Sequence, residues 1–344
     1  MNNSLVLSEN FVRTNKSRKY YKINNLFFSK DSKITDIKTK KYNLSKKNLD
    51  LFEKNILSYY LKILKKLSEQ LNQIHNTEIS EKQWEIIIGN WLRFFIEVAH
   101  ERWISLDRIN LYEFNEIIIS KSEKIKYRLI PKNRSHFSNL VQNSSSWNDY
   151  IYSKVITHKI SRKKINIKTI PIKKIKNIFY KYKKNNLLKR FILKFSKIIS
   201  YLAPPRYRML VSITYLPFKD LIILIFKLRK LPIFYFPIGN KEFARKKIIK
   251  EREYLLLNLF DKRDKFGKFL QDVIADQIPQ CYLENWNELN NELKRQSIPR
   301  VNMILAGNGF DNDEIIRLYI SKHILNLTYI IFQHGGVYGL SYLT

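Results

Sequence analysis

Residues 301–336 read Val301-Asn302-Met303-Ile304-Leu305-Ala306-Gly307-Asn308-Gly309, then Asp311 to Leu325, then Thr328-Tyr329-Ile330-Ile331-Phe332-Gln333-His334-Gly335-Gly336. The two outer runs are short, apolar and rich in β-branched residues, which predicts buried strands. The stretch between them predicts a helix. Asp311, Asp313 and Glu314 fall in its first turn, where the positive end of the helix dipole favours carboxylates. Ile315, Leu318 and Tyr319, with Ile324 and Leu325 further on, supply its apolar positions. Strand, helix, strand with a single helix between is a βαβ unit, hence a parallel strand pair with a right-handed crossover. The fold class that follows is α/β: a Rossmann-like parallel sheet behind a large helical N-terminal part.

In an open α/β sheet, ligands bind beyond the carboxyl ends of the parallel strands. One predicted strand releases Asn308-Gly309-Phe310, the other Gln333-His334-Gly335-Gly336-Val337-Tyr338-Gly339. The chain has 8 glycines, and five of them (Gly307, Gly309, Gly335, Gly336 and Gly339) fall in these two segments. Glycine lets backbone approach a ligand closely, and its amide can face a phosphate or carboxylate oxygen. His334 is the best catalytic candidate, because an imidazole with an ordinary pKa of about 6.5 can take a proton from an attacking hydroxyl at neutral pH. The alternative for His334 is a buried histidine that only caps a strand. His75 and His100 lie in helical regions and read as structural, while His136, His158 and His323 have no partner by spacing. No HExxH, paired cysteines or ligand-type acidic cluster occurs, so neither a metal nor a resident cofactor is expected. Walker, GxGxxG and GxSxG motifs are absent as well.

Upstream, Leu57, Leu61, Leu64, Leu67, Leu71 and Ile74 recur at steps of three and four, predicting a helix from about Lys47 to Ile74. Ser80 with Gln83 makes a capping box. Trp84, Ile87, Ile88, Trp91, Leu92 and Phe95 then form the stripe of a second long helix. On it, Arg93, Glu97, Glu101 and Arg102 read as ion pairs on a solvated face. Residues 1–44 read as polar and irregular, and Asn143–Ser146 as a polar loop. Ile233–Phe236 after Pro232 reads as a strand, Phe266 to Ile274 as a helical stripe and Glu284–Lys294 as a short helix.

The apolar run Met209–Leu228 carries Lys219 and Asp220 at its centre, where each charge would cost roughly 2.5–3.5 kcal/mol in a bilayer. It is therefore read as a broken strand pair, or a strand followed by a helix, not a membrane span.

The 344 residues suit about two domains at roughly 100–200 residues each. A hydrophobic share of 44% can fill a large core, and one cysteine, Cys281, excludes a disulfide scaffold. No apolar leader opens the chain, and a cytoplasmic location is expected. The formal charge is +33, from 63 Lys+Arg against 30 Asp+Glu. Excess Lys, Asn and Ile with few Gly and Pro is what AT-rich codons favour, so part of that charge reflects base composition. Its placement is more specific: no Asp or Glu occurs from Tyr150 to Lys219, and the basic clusters Arg162–Lys164, Lys173–Lys176 and Lys181–Lys184 fall there. Such a block attracts phosphates, nucleic acid or anionic headgroups, or is simply a solvated face.

Leu71-Asn72, His75, Ser80, Trp84, Ile88-Gly89-Asn90-Trp91-Leu92, Arg102-Trp103, Pro279, Tyr282-Leu283-Glu284, Gly309-Phe310, Asp313-Glu314 and Gln333-His334-Gly335-Gly336 with Tyr338-Gly339 stand in this order. Together they resemble the LIC-type transferases of bacterial surface-polysaccharide clusters. The resemblance spans about residues 60 to 340, and the family's opening strand-and-loop motif is not placed in the first 50. It implies a glycosyltransferase-B-like architecture of which this chain is the N-terminal half, with the histidine–glycine segment at the interdomain cleft. It further implies His334 as base on an acceptor hydroxyl. Asn308, Gly309, Gln333, Gly335, Gly336, Tyr338 and Gly339 become the substrate contacts.

The partners implied are a nucleotide-activated sugar donor and a glycan or lipid-linked acceptor, at the inner face of the plasma membrane if peripheral. Residues 1–45 form a divergent segment, 46–150 a helical region, 151–230 a basic region and 231–344 the Rossmann-like region. The chain stops at Thr344, so the nucleotide-binding domain that the resemblance implies is expected to be missing and the chain truncated. The competing expectation is a basic nucleic-acid- or membrane-surface-binding protein without catalysis, which would explain the charge but not the glycine-rich strand ends.

Overall fold

The computed structural model describes residues 2–6, 18–22, 35–36, 46–107, 109–120, 129–160, 166–170, 195–196, 198–212, 214–235, 246–307 and 313–332. The strands form two sheets. The first contains β1 (Asn2–Val6), β2 (Arg18–Lys22), β3 (Thr35–Asp36), β4 (Glu116–Ser120) and β5 (Asn166–Ile170), in the order β3-β2-β1-β4-β5. The second contains β6 (Arg208–Val211), β7 (Leu231–Phe234), β8 (Met303–Ala306) and β9 (Thr328–Ile331), in the order β7-β6-β8-β9. Every pairing in both sheets is parallel. The βαβ reading of the C-terminal stretch therefore holds, with Met303 opposite Thr328 and Ala306 opposite Ile331.

Helices with both ends among the described residues join them: α1 (Lys46–His75), α2 (Glu81–Asp107), α3 (Arg134–Asn143), α4 (Ser145–Lys159), α5 (Phe218–Leu228), α6 (Lys265–Gln277), α7 (Trp286–Gln296) and α8 (Glu314–His323). The chain is a mixed α/β protein dominated by helix. The second sheet is a three-layer unit. Alternation along β6 sends Met209 and Val211 to one face, where Leu221 and Ile225 of α5 and Leu305 complete a small core. Leu210, Ile304 and Ala306 face the other way, onto Ile316, Tyr319 and Ile320 of α8. The larger core runs from Leu5 and Ile117–Ile119 of the first sheet through α1, α2, α4, α6 and α7 to Leu318 of α8.

The capping box forms as its residue types require. The Ser80 backbone N–H donates to Gln83 Oε1 at 3.0 Å, and the Gln83 N–H donates to Ser80 Oγ at 3.3 Å. Gln83 Nε2 also donates to the Ser321 carbonyl at 3.0 Å, tying the start of α2 to α8.

Several sequence readings are corrected. Residues 1–44, read as irregular, contribute three short strands that pair with one another and, through β1, with the remote β4; their polar composition hides them in the sequence. The polar loop at 143–146 is instead a hinge of one residue: Ser144 ends α3 and caps α4, its Oγ accepting from the Trp147 N–H at 3.2 Å. The Met209–Leu228 run resolves into a strand followed by a helix. Pro232 lies inside β7, tolerated because β7 is an edge strand. Leu325 falls in a 3₁₀ turn after α8 and is exposed. Arg102 is not on a solvated face; it is buried and donates to Asn148 Oδ1 at 3.0 Å as well as pairing with Glu101. Arg93 and Glu97 do pair as expected, at 2.9 Å. No helix among the described residues is long and apolar enough to cross a membrane.

Candidate active site

The four strands of the second sheet end together at Val211, Phe234, Ala306 and Ile331. The Phe332 N–H donates to the Ala306 carbonyl at 2.7 Å, so the chain leaves β8 and β9 side by side at one end of the sheet. The strand order adds something that the sequence does not state. In β7-β6-β8-β9 the first connection runs outward from β6 to β7, and the next returns past β6 to β8. That reversal is a topological switch point between β6 and β8, where open α/β sheets bind ligands. The order β3-β2-β1-β4-β5 has the same reversal between β1 and β4.

The expected site residues Asn308, Gly309, Gln333, His334, Gly335, Gly336, Tyr338 and Gly339 lie outside the described residues. What the structure gives is the frame from which their segments depart. Gly307 follows β8 directly and Phe332 follows β9. The segment after β6, which sequence reasoning passed over, departs from the other side of the switch point. It contains Ser212 and Thr214, both buried, and Tyr215 with φ 60°, in the left-handed region. The Ser212 N–H donates to the Leu305 carbonyl at 2.8 Å, continuing the ladder beyond β6. Only strand order reveals its relevance, since no motif marks it.

The floor of this end of the sheet is a buried acid. Asp313 caps α8, with Oδ1 accepting from the Ile315 and Ile316 N–H groups at 3.0 and 3.1 Å. Its Oδ2 accepts from the Tyr235 hydroxyl at 2.8 Å. Tyr235 stands one residue beyond β7, its own N–H donating to the Val211 carbonyl at 2.8 Å. One hydrogen bond thus joins the segment after β7 to the start of α8. Burial pushes the Asp313 carboxyl up to about 6, against the downward pull of the Tyr235 and backbone hydrogen bonds. Burial also lifts the Tyr235 phenol well above its ordinary value, with Asp313 adding to the effect.

Beside Asp313, Glu314 Oε1 accepts from the Arg134 N–H at 3.0 Å and from Arg317 Nη2 at 3.2 Å. Arg317 Nη2 also donates to the Tyr282 hydroxyl at 2.7 Å. The Arg134 guanidinium donates through Nε to Asn90 Oδ1 at 2.9 Å and lies over the Phe94 ring. The N-termini of α3 and α8 are therefore locked together next to the strand ends.

Most of the signature residues outside the two glycine-rich segments make contacts within this scaffold. Asn72 Oδ1 accepts from the Trp84 indole, the Ile79 N–H and the Thr77 hydroxyl, fixing the turn between α1 and α2. His75 Nε2 hydrogen-bonds the Tyr282 carbonyl at 2.9 Å, and its ring stacks on Trp286. Burial lowers the pKa of His75, and of His100 to about 4. Both are structural, as read from the sequence. The remaining histidines, read as having no partner by spacing, do have partners: His136 and His323 find theirs four residues away, and only His158 finds one across the fold. His136 Nδ1 accepts from the Lys132 N–H at 3.0 Å, His158 pairs with Asp272 at 2.9 Å and His323 packs on Tyr319. Among the described residues no group of three His, Cys, Asp or Glu could hold a metal ion.

Parallel sheets with switch points, and a buried acid where α8 starts beside the strand ends, define an α/β protein of Rossmann-like form. The model of the LIC12162 family transferases matches residues 19–344, and the chain belongs to that family. It is a transferase by family, as the resemblance implied. No curated protein and no solved structure matches the chain.

Proposed function

We propose that this chain is a glycosyltransferase-like transferase of surface-polysaccharide biosynthesis. It would use a nucleotide-activated sugar as donor and a glycan or lipid-linked hydroxyl as acceptor, in the cytoplasm. The observation that carries the reading is the parallel register of β8 and β9, with Ala306 opposite Ile331. It starts the two glycine-rich segments from one end of one sheet, in a chain of a transferase family. Two parallel sheets within one chain, each with a switch point, support the glycosyltransferase-B-like form of the reading.

In this mechanism His334 takes the proton of the acceptor hydroxyl as its oxygen attacks the anomeric carbon of the donor. The bond from that carbon to the phosphate oxygen breaks, and its electron pair leaves with the nucleoside diphosphate. Gly309, Gly335, Gly336 and Gly339 let backbone come close to the donor phosphates, and their amides stabilise the charge that develops there. Asn308, Gln333 and Tyr338 orient the sugar and the acceptor by hydrogen bonds. The buried Asp313–Tyr235 pair holds α8 and the segment after β7 as a rigid floor, so it is a positioning pair and not a catalytic one.

The test is a screen of nucleotide-sugars by thermal shift, followed by transfer assays with the hits. One or more donors should raise the melting temperature. His334→Ala should keep that shift while lowering turnover about 10²–10⁴-fold, the usual contribution of a general base. A chain whose melting temperature no nucleotide-sugar moves, or whose turnover survives His334→Ala, contradicts the proposal.

A further inference from the structure

Helix α5 is the least covered helix of the second sheet. Only Leu221 and Ile225 are buried on it. Lys219, Ile223 and Phe226, at i, i+4 and i+7, share the opposite face, and all three are exposed. Phe226 is 75% exposed and Phe218, at the start of the helix, 71%. The basic residues Lys227 and Arg229 are exposed beside them. At the far end of the helix, Lys230 donates to the Arg206 carbonyl, which joins α5 to the preceding turn. The segment just before that turn carries Ile198 and Leu202, the latter 84% exposed. Large apolar side chains and basic residues are thus exposed together on α5, and further exposed apolar side chains stand on the segment linked to its end. From Tyr150 to Lys241 the sequence contains a single acid, Asp220.

Isolated exposed apolar residues need no explanation, but a cluster framed by positive charge does. A second copy is the wrong occupant, because a symmetric contact would set two basic faces against each other. A nucleic acid would satisfy the lysines and leave Ile198, Leu202 and Ile223 without an apolar partner. An anionic bilayer surface satisfies both. Headgroup phosphates meet Lys219, Lys227 and Arg229, while Phe218, Ile223 and Phe226 enter the acyl boundary. At about 1.5 Å per residue an 11-residue helix cannot cross a hydrocarbon layer of about 30 Å, so it would lie along the surface.

We propose that the exposed face of α5, with the segment 198–207, docks the protein on an anionic lipid surface. This goes beyond the transfer reading and stands or falls separately from it. Docking holds α5 in the plane of the headgroups. Its first residue, Phe218, follows the segment that leaves β6 at the switch point, so that end of the sheet lies close to the bilayer.

The experiment is cosedimentation of the full chain with phosphatidylcholine vesicles, with and without phosphatidylglycerol, over a salt series. Binding is expected only with the anionic lipid and should weaken as salt rises. Lys219→Gln with Lys227→Gln should reduce partitioning about 30-fold, at about 1 kcal/mol per basic residue near the surface. Ile223→Ser with Phe226→Ser should reduce it at least about tenfold through lost apolar contact. Far-UV circular dichroism checks that the variants fold. If the serine variant does not, the lysine variant and the lipid-charge dependence of the natural chain decide. Three outcomes overturn the proposal: no binding to anionic vesicles at low salt, equal binding by the variants, or a face that only pairs copies or retains DNA.

Discussion

Asp313 shows how far one residue can be read from sequence. That an acid suits the start of α8 is legible from the helix dipole, although Asp313 caps the helix instead of lying in its first turn. Its second bond, to Tyr235 from 78 positions away, is not. Burial raises its pKa to about 6 from an ordinary value near 3.8. The folded state therefore holds this proton more tightly than the unfolded chain. The associated stability is fully present below about pH 4 and is lost as pH rises through about 6. Asp313→Asn keeps the cap and removes the ionisation, so its denaturation midpoint should gain on that of the natural protein as pH rises from 4 to 7. Asp313→Ala should cost about 1–2 kcal/mol at pH 4 through loss of the cap, and less as pH rises through about 6.

His100 works in the opposite sense. Its pKa is lowered to about 4, so its contribution is present above about 6.5 and lost as pH falls through about 4. His100→Gln should flatten the acid limb of the stability curve. The buried pair Arg252–Glu284 gives a third check. Its side chains are only 2% and 1% exposed, and Arg252 also donates to the Ala275 and Ile278 carbonyls. Glu284→Ala leaves a buried guanidinium unpaired and should lower unfolding free energy by about 3–5 kcal/mol in chemical denaturation.

At the scale of elements, legibility follows locality. The long helices α1 and α2 were readable because one face is apolar at a period of 3.6, and their capping box needs only residues three apart. Helix α4 was missed for the converse reason: from Ser146 to Ile156 nearly every residue is buried, so no stripe stands out. Strands β1 to β3 were missed because polar residues fill them: Asn2, Asn3 and Ser4 in β1, Arg18, Lys19 and Lys22 in β2, and only Thr35 and Asp36 in β3. The packing of α1 against α2 also supports a prediction. A Cβ on Gly89 would lie 2.6 Å from the Tyr60 hydroxyl, which donates to Glu85 at 3.1 Å. Alanine in a helix is normally favoured over glycine by about 1 kcal/mol. Gly89→Ala should instead destabilise, by about 1–3 kcal/mol, from overpacking. Adding Tyr60→Phe, which removes the hydroxyl, should recover much of the loss in a double-mutant cycle.

For the whole molecule, the α/β class and the parallel C-terminal strand pair followed from periodicity and glycine placement. The first sheet and the switch points did not, since strand order is a property of the assembled fold. The signature residues proved to be of two kinds. Asn72, His75, Trp84, Gly89 and Tyr282 hold helices together, while the glycine-rich segments leave the strand ends. Sequence alone could not pick out the packing residues, because a motif does not show which neighbours its side chains meet. The formal charge of +33 is a global property with its own consequence. Self-repulsion is screened by salt, so the melting temperature should rise when ionic strength goes from about 0.01 to 0.15 M, over which the Debye length falls from about 30 to 8 Å.

The central claim is that the carboxyl end of the second sheet is where this transferase meets its donor. Hydrogen–deuterium exchange with and without a nucleotide-sugar tests it most directly. The account predicts new protection confined to peptides covering 212–217, 306–313 and 331–340. Protection confined to other parts of the chain, or none at saturating donor, would contradict it.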